Sequence, residues 1–274
     1  MQGPIPILMY HSIDARCAPA YARWCVGPEV FGAHLRVIDG LGMTPMTISG
    51  LTDAIDKGTL PDRPVAITFD DGLADFEQHA LPILDRFGFP ATLYVAAGYV
   101  GGTARWLSDL GEGDRPMMDW QGIAGLKHRN VEVGAHTLTH PQLDLLSPRE
   151  ARHEIHGGKR LIEDKTGMKV RSFAYPHGYS SKTVRELVNQ SGFDSAVRVA
   201  HALSGVSEDR FAHARIIMTE NETEETLARY LTGKDLRRAA PVTSWKIRAW
   251  RGWRGLRSML AGPRSTGPAK PMEA

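Results

Sequence analysis

Disulfide chemistry is the first thing this chain does without. Cys17 and Cys25 are its only cysteines in 274 residues, too few to staple a secreted scaffold, and they read as free thiols. It also lacks any apolar run long enough to span a bilayer. No basic stretch precedes the apolar start Ile5-Pro6-Ile7-Leu8-Met9-Tyr10, as it would in a secretion leader. The expectation is a cytoplasmic protein, or one whose leader has been removed. No internal repeat is visible at any fixed period. The apolar share of 42% and the charged share of 23% are those of an ordinary soluble globular protein, of one large α/β barrel or two small domains.

Net charge is small overall, at +2, but not locally. Of 33 basic and 31 acidic residues, ten and two fall in 234–274, leaving 23 and 29 in 1–233. The tail is therefore +8 and the body −6. We expect a folded domain over 1–233 and a basic Trp/Arg-rich tail over 234–274.

What is present is organised around Val65-Ala66-Ile67-Thr68-Phe69-Asp70-Asp71-Gly72. The apolar and β-branched run reads as a buried strand, and the glycine lets the chain turn after two adjacent carboxylates. An Asp-Asp-Gly turn is the plain reading. In a parallel α/β sheet, however, the carboxyl end of a strand is where ligands bind. Other strands are expected at Ile5–Tyr10, Met43–Ile48, Phe89–Ala97, Val131–Ala135, Val170–Tyr175, Ser195–Val199 and Ala214–Met218. Helices fall between them: one inside Cys25–Leu41, one ending near Gly88, Trp120–His128, one opened by the capping box Ser147-Pro148-Arg149-Glu150, one capped by Ser181, and Glu222–Leu231. Residues 98–118 form a long Gly- and Asp-rich loop carrying Trp106. Seven confident strands alternating with helices predict a distorted or incomplete (β/α)7-type barrel.

Several strand ends carry reactive side chains: His11, Asp70-Asp71, His136 with His140, and Tyr175-Pro176-His177. Barrel enzymes assemble sites in this way. Four residues apart on one helical turn, His136 and His140 would project to the same side and close on one ion. The pair His153 and His156 lies among Arg152, Glu154 and Lys159 and reads as solvated surface. Two histidines and a carboxylate leave open positions on a divalent metal, the catalytic arrangement. Asp71 is then expected to bind the metal and Asp70 to take the proton from water.

Thr68-Phe69-Asp70-Asp71-Gly72, His136-Thr137-Leu138-Thr139-His140 and Phe173-Ala174-Tyr175-Pro176-His177-Gly178 resemble the first three motifs of the NodB-homology polysaccharide deacetylases, carbohydrate esterase family four. The likeness spans roughly residues 5–220. It implies removal of N- or O-acetyl groups from sugars with a divalent metal, usually zinc, with an N-acetylated glycan as substrate. By the same likeness Asp71, His136 and His140 are ligands and Asp70 is the base. Tyr175 and His177 stand beside the substrate, the His177 N–H as oxyanion donor. The chain departs from that pattern at Ala174, where the family carries arginine, at His177, where it carries an aromatic, and in having no late Leu-x-His motif. Leu8-Met9-Tyr10-His11 is similar instead to the opening of the permuted branch that includes poly-N-acetylglucosamine deacetylases, which makes His11 the expected acid. A histidine satisfied at a strand end is the alternative, with His201 and His213 in reserve. Arg215 on the last strand is a candidate to orient Asp70 in place of the missing arginine.

In the tail, Trp245, Ala249, Trp253, Leu256 and Leu260 share one helical stripe opposite most arginines, as in a helix lying on anionic lipid at the inner membrane face. Gly252 and Gly255 each weaken such a helix by about 1 kcal/mol. A disordered tail, or one packed on the acidic body, is the other reading. No nucleic-acid partner is expected. Two rival functions remain at this level: a non-catalytic carbohydrate-binding protein on the same fold, and an amidohydrolase of small non-sugar amides.

Overall fold

The computed structural model describes residues 3–239. Seven strands build its centre: β1 (Ile7–Tyr10), β2 (Pro64–Phe69), β3 (Ala91–Val95), β4 (Val131–Ala135), β5 (Ser172–Ala174), β6 (Ser195–Val199) and β7 (His213–Ile217). Each pairs in parallel with the next, and β7 pairs with β1. The ring is closed, so of the two expected forms the incomplete barrel is set aside. A short strand, Thr44–Met46, pairs with the start of β2 outside the ring. Among the described residues, no helix is long and apolar enough to cross a membrane.

Period-2 alternation decides which side chain faces which layer. Leu8, Tyr10, Ile67, Phe69, Leu93, Val95, Val133, Ala135 and Phe173 join the core beneath the helices. Their neighbours turn into the barrel, where Ile7, Ala66, Tyr94, Ala174 and Val197 cluster beside the buried polar groups Thr68, Thr92, Ser172, Ser195 and Arg215. The interior is thus partly polar. At the amino-terminal end of the strands Glu132 accepts from Ser49 N and Oγ (2.9 and 2.6 Å), Thr92 Oγ1 (3.1 Å) and Ser172 Oγ (2.6 Å). This floor also holds the first turn of α2 (Ile48–Lys57).

The helices follow their sequence signals. In α1 (Pro28–Gly40), Pro28 opens the helix and Phe31, Leu35 and Ile38 form the buried face. The capping box at Ser147 and Glu150 is formed and opens α3 (Pro148–Thr166), which Gly167 ends in a left-handed cap. Ser181 caps α4 (Lys182–Gln190). The last helix of the body is Glu224–Leu231, after which Leu203 N donates to Arg237 O and Ala239 N to Leu203 O. The Trp/Arg-rich stretch of the expected tail lies outside the described residues.

Candidate active site and metal centre

Asp70 and Asp71 leave β2 at the carboxyl end of the barrel. Asp71 has a φ of 78° and Gly72 one of 85°. A Cβ at Gly72 would also stand 3.3 Å from Val95, so handedness and proximity both call for glycine. His136 follows β4, but the His136–His140 segment is not the helical turn the spacing suggested. Thr137 (φ 68°) and His140 (φ 58°) curl it as a loop, and that curl brings the two imidazoles together. His177, after β5, has a φ of 57°. Left-handed backbone outside glycine costs roughly 1–3 kcal/mol and gathers at functional sites. Four of the six such residues among those described are Asp71, Thr137, His140 and His177.

The expected ligands converge. Asp71 Oδ1 lies 3.6 Å from His136 Nε2 and 3.3 Å from His140 Nε2. Among the described residues these three form a group able to hold a metal, with one candidate ligand atom of each within 4.8 Å of the others. Three observations fit a cation there. Asp71 Oδ1 is buried without a hydrogen-bond partner. His136 Nδ1 lies 2.8 Å from the carbonyl of Ala174; donating to it leaves the Nε2 lone pair facing Asp71. Burial, then the neighbouring Asp70 and Asp75, push the Asp71 carboxyl well above the usual carboxylate range. Burial likewise lowers His136 to about 4 and His140 well below its ordinary value. Such neutral imidazoles are ligands rather than cations.

Asp70 differs from Asp71 because it has a partner. Arg215, fully buried on β7, donates Nη1 and Nη2 to its two oxygens at 2.6 and 2.7 Å. Burial alone would raise the Asp70 carboxyl; the Arg215 guanidinium overrides it and holds the group at about 2. Arg215 therefore supplies the guanidinium that Ala174 cannot. His11 Nε2 stands 4.0 Å from Asp70 Oδ2 and its ring packs against Trp24 at 4.7 Å. Burial lowers His11 to about 4 despite the pull of Asp70.

These groups open into a cavity of about 340 Å³, lined also by Tyr21, Arg23, Trp24, Trp106, Leu107, Leu110, Tyr179, Val199 and Ile217. Trp106 stacks on His140 at 5.0 Å, and the His177 ring lies 4.8 Å from His140. Tyr175 is a correction. The strand alternation sends its side chain outward, where its hydroxyl donates to Phe211 O at 2.8 Å, and it does not line the cavity. The reserve histidines also fall elsewhere: His213 begins β7 at the opposite end, beside Ser204, and exposed His201 meets Tyr230. His153 and His156 are exposed on α3, as expected.

The cavity walls were the part sequence reasoning missed, apart from the loop that carries Trp106. Arg115 joins them. It donates to Glu112 (2.9 Å), Asp75 (3.0 Å), Ser12 (3.1 Å), Asp14 (3.3 Å) and the carbonyl of Arg16 (3.1 Å). It thereby ties the segment after β1 to the loop of residues 98–118. The signal was slight: one arginine between Asp114 and Pro116.

A closed seven-stranded barrel with two histidines and two aspartates at its carboxyl rim defines a class of metal-competent (β/α)-barrel hydrolases. The polysaccharide deacetylase family model matches residues 57–196, and the chain belongs to that family. YxkH of Bacillus subtilis, a polysaccharide deacetylase by name, is 23% identical over 228 residues, 83% of this chain and 76% of its own length. The poly-beta-1,6-N-acetyl-D-glucosamine N-deacetylase of Staphylococcus epidermidis is 20% identical over 215 residues, 78% of this chain and 74% of its own. Among solved structures, the Streptococcus pyogenes deacetylase PplD superposes with a TM-score of 0.73 at 24% identity, over 84% of this chain and 99% of its own, a likeness of fold.

Proposed function

We propose that the protein is a metal-dependent deacetylase of an N-acetylated sugar or polysaccharide, with Asp71, His136 and His140 holding a divalent cation, zinc by preference. The observation that carries this reading is the orphaned Asp71 Oδ1 between two imidazole Nε2 atoms. A cation bound there would polarise the acetamide carbonyl and acidify water. Asp70, kept ionised and oriented by Arg215, takes the proton of the attacking water. His11 is unprotonated at neutral pH, so the proton it gives the leaving amine is one it acquires during turnover, and Asp70 4.0 Å away is the source. The backbone N–H of His177 serves the oxyanion.

Arg215 also bears on the non-catalytic alternative. That reading rests mainly on the missing late Leu-x-His motif, for which His11 stands in on the permuted reading, while the guanidinium of Arg215 reaches the Asp70 carboxylate from β7 in place of the arginine absent at Ala174. The name of the Staphylococcus epidermidis relative favours a poly-N-acetylglucosamine substrate. The test is acetate release from N-acetylglucosamine oligomers by protein stripped of metal and then reloaded with zinc. Release that appears only on reloading, and falls about 10²-fold or more in His11→Ala, supports the assignment. Zinc-independent release, or none, contradicts it.

A further inference from the structure

The charges facing the cavity do not balance. Asp70 is paired with Arg215, and Asp71 faces the candidate metal position between His136 and His140. The remaining lining charge is Arg23, exposed at the rim on the 3₁₀ turn Ala22–Trp24. No described carboxylate lies within ion-pair distance of it. Its guanidinium rests instead over the ring of Trp24, 5.1 Å from the centroid, and Trp24 packs on His11. A cation propped on an aromatic face beside the reacting groups is positioned and unneutralised. The setting makes this unusual, because residues 1–233 carry a net −6. An acidic body that leaves an arginine without a carboxylate partner at the cavity rim is arranged to receive an anion.

We propose that the substrate carries an anionic substituent, a carboxylate or a phosphate, on or next to the sugar whose acetamido group enters the cavity, and that Arg23 receives it. This deepens the deacetylase reading and rests on it. The turn that bears Arg23 is held by its neighbours: Tyr21 lies under the Arg115 guanidinium at 5.5 Å, and Ala18 N donates to Glu112 Oε1 at 2.5 Å. Arg23 is thus a specificity-determining group on a fixed wall. It presents a planar pair of donors that matches either oxyanion.

The experiment compares kcat/KM for acetate release from three substrates: an N-acetylglucosamine oligomer, N-acetylglucosamine 6-phosphate and N-acetylmuramic acid. The two anionic probes separate phosphate from carboxylate. Wild-type protein is expected to favour at least one anionic probe by about tenfold. Arg23→Ala should shrink that ratio to near one and Arg23→Glu should invert it, with added salt acting in the same direction as Arg23→Ala. A merely structural loss would lower all three rates together and leave the ratio standing. Calorimetric binding of glucosamine 6-phosphate and glucosamine, by both wild-type and Arg23→Ala protein, keeps the two levels apart. A binding preference that needs Arg23, without any acetate release, retains the anion subsite and refutes the deacetylase reading. Acetate release without an anionic preference, or with a preference that Arg23→Ala leaves intact, overturns the subsite.

Discussion

The two ends of the barrel each hold a carboxylate, half-buried at the floor and buried at the mouth, and they treat it in opposite ways. At the floor, Glu132 accepts four hydrogen bonds, two on each oxygen, from Ser49, Thr92 and Ser172. At the mouth, Asp71 is more deeply enclosed, yet its Oδ1 has no donor and faces two imidazoles that carry no charge. A buried polar group without a partner costs roughly 1–3 kcal/mol, more when it is charged. The floor is built for stability. The mouth holds a deficit that a cation would fill, and the strained backbone at Asp71, His140 and His177 adds to that deficit.

The sharpest way to widen this contrast is to change the chemistry while sparing the ligands. Asp70→Asn should lower kcat by about 10²–10⁴-fold in acetate-release assays while one zinc per chain still binds. Next in size is Arg215→Leu, which strips a buried carboxylate of its counter-charge. Denaturant unfolding should show a loss of about 3–5 kcal/mol, and the acid limb of the rate profile should move up in pH as Asp70 rises from about 2. The comparison itself is tested by a pair of variants in metal-free protein. Glu132→Ala should cost about 3 kcal/mol by orphaning the floor donors, whereas Asp71→Asn should gain about 2 kcal/mol by removing the uncompensated carboxylate. If both lose stability equally, the two ends are not different in kind.

The smallest effect is a pH dependence. Burial holds His11 and His136 at about 4, below their ordinary 6.5, so the unfolded chain takes up protons that the folded one refuses. In metal-free Asp71→Asn, where the opposing titration of Asp71 is gone, stability should be full above pH 6.5. It should fall as pH drops toward 4, by about 1.4 kcal/mol per pH unit for each histidine.

The barrel was legible because alternation and caps are local. Seven strand runs, the box at Ser147 and Glu150, and the glycine stops all kept their expected places within a few residues. The strand-end residues Asp70, Asp71, His136, His140 and His11 were legible for the same reason, since a parallel barrel gathers strand ends on one rim. What failed depended on more than one segment. The loop curl at Thr137 and His140 replaces a helical turn that spacing alone suggested. Tyr175 lies one residue beyond inward-facing Ala174 and so turns away. Arg215 did not fail: expected beside Asp70 in place of the arginine missing at Ala174, it is set against that carboxylate when the barrel closes. The walls built from Tyr21, Trp24 and Trp106 are fixed by Arg115 across about a hundred residues of sequence, a coupling that no local pattern records.

Zinc titration of metal-free protein, followed by calorimetry and by the midpoint of thermal unfolding, is the most direct measurement of the central claim. One zinc per chain should bind and raise the midpoint of the wild type, with affinity lost in Asp71→Asn and in His136→Ala but kept in Asp70→Asn and Glu132→Ala. Binding that survives the loss of Asp71 and of His136, or no binding to the wild type, would contradict the account.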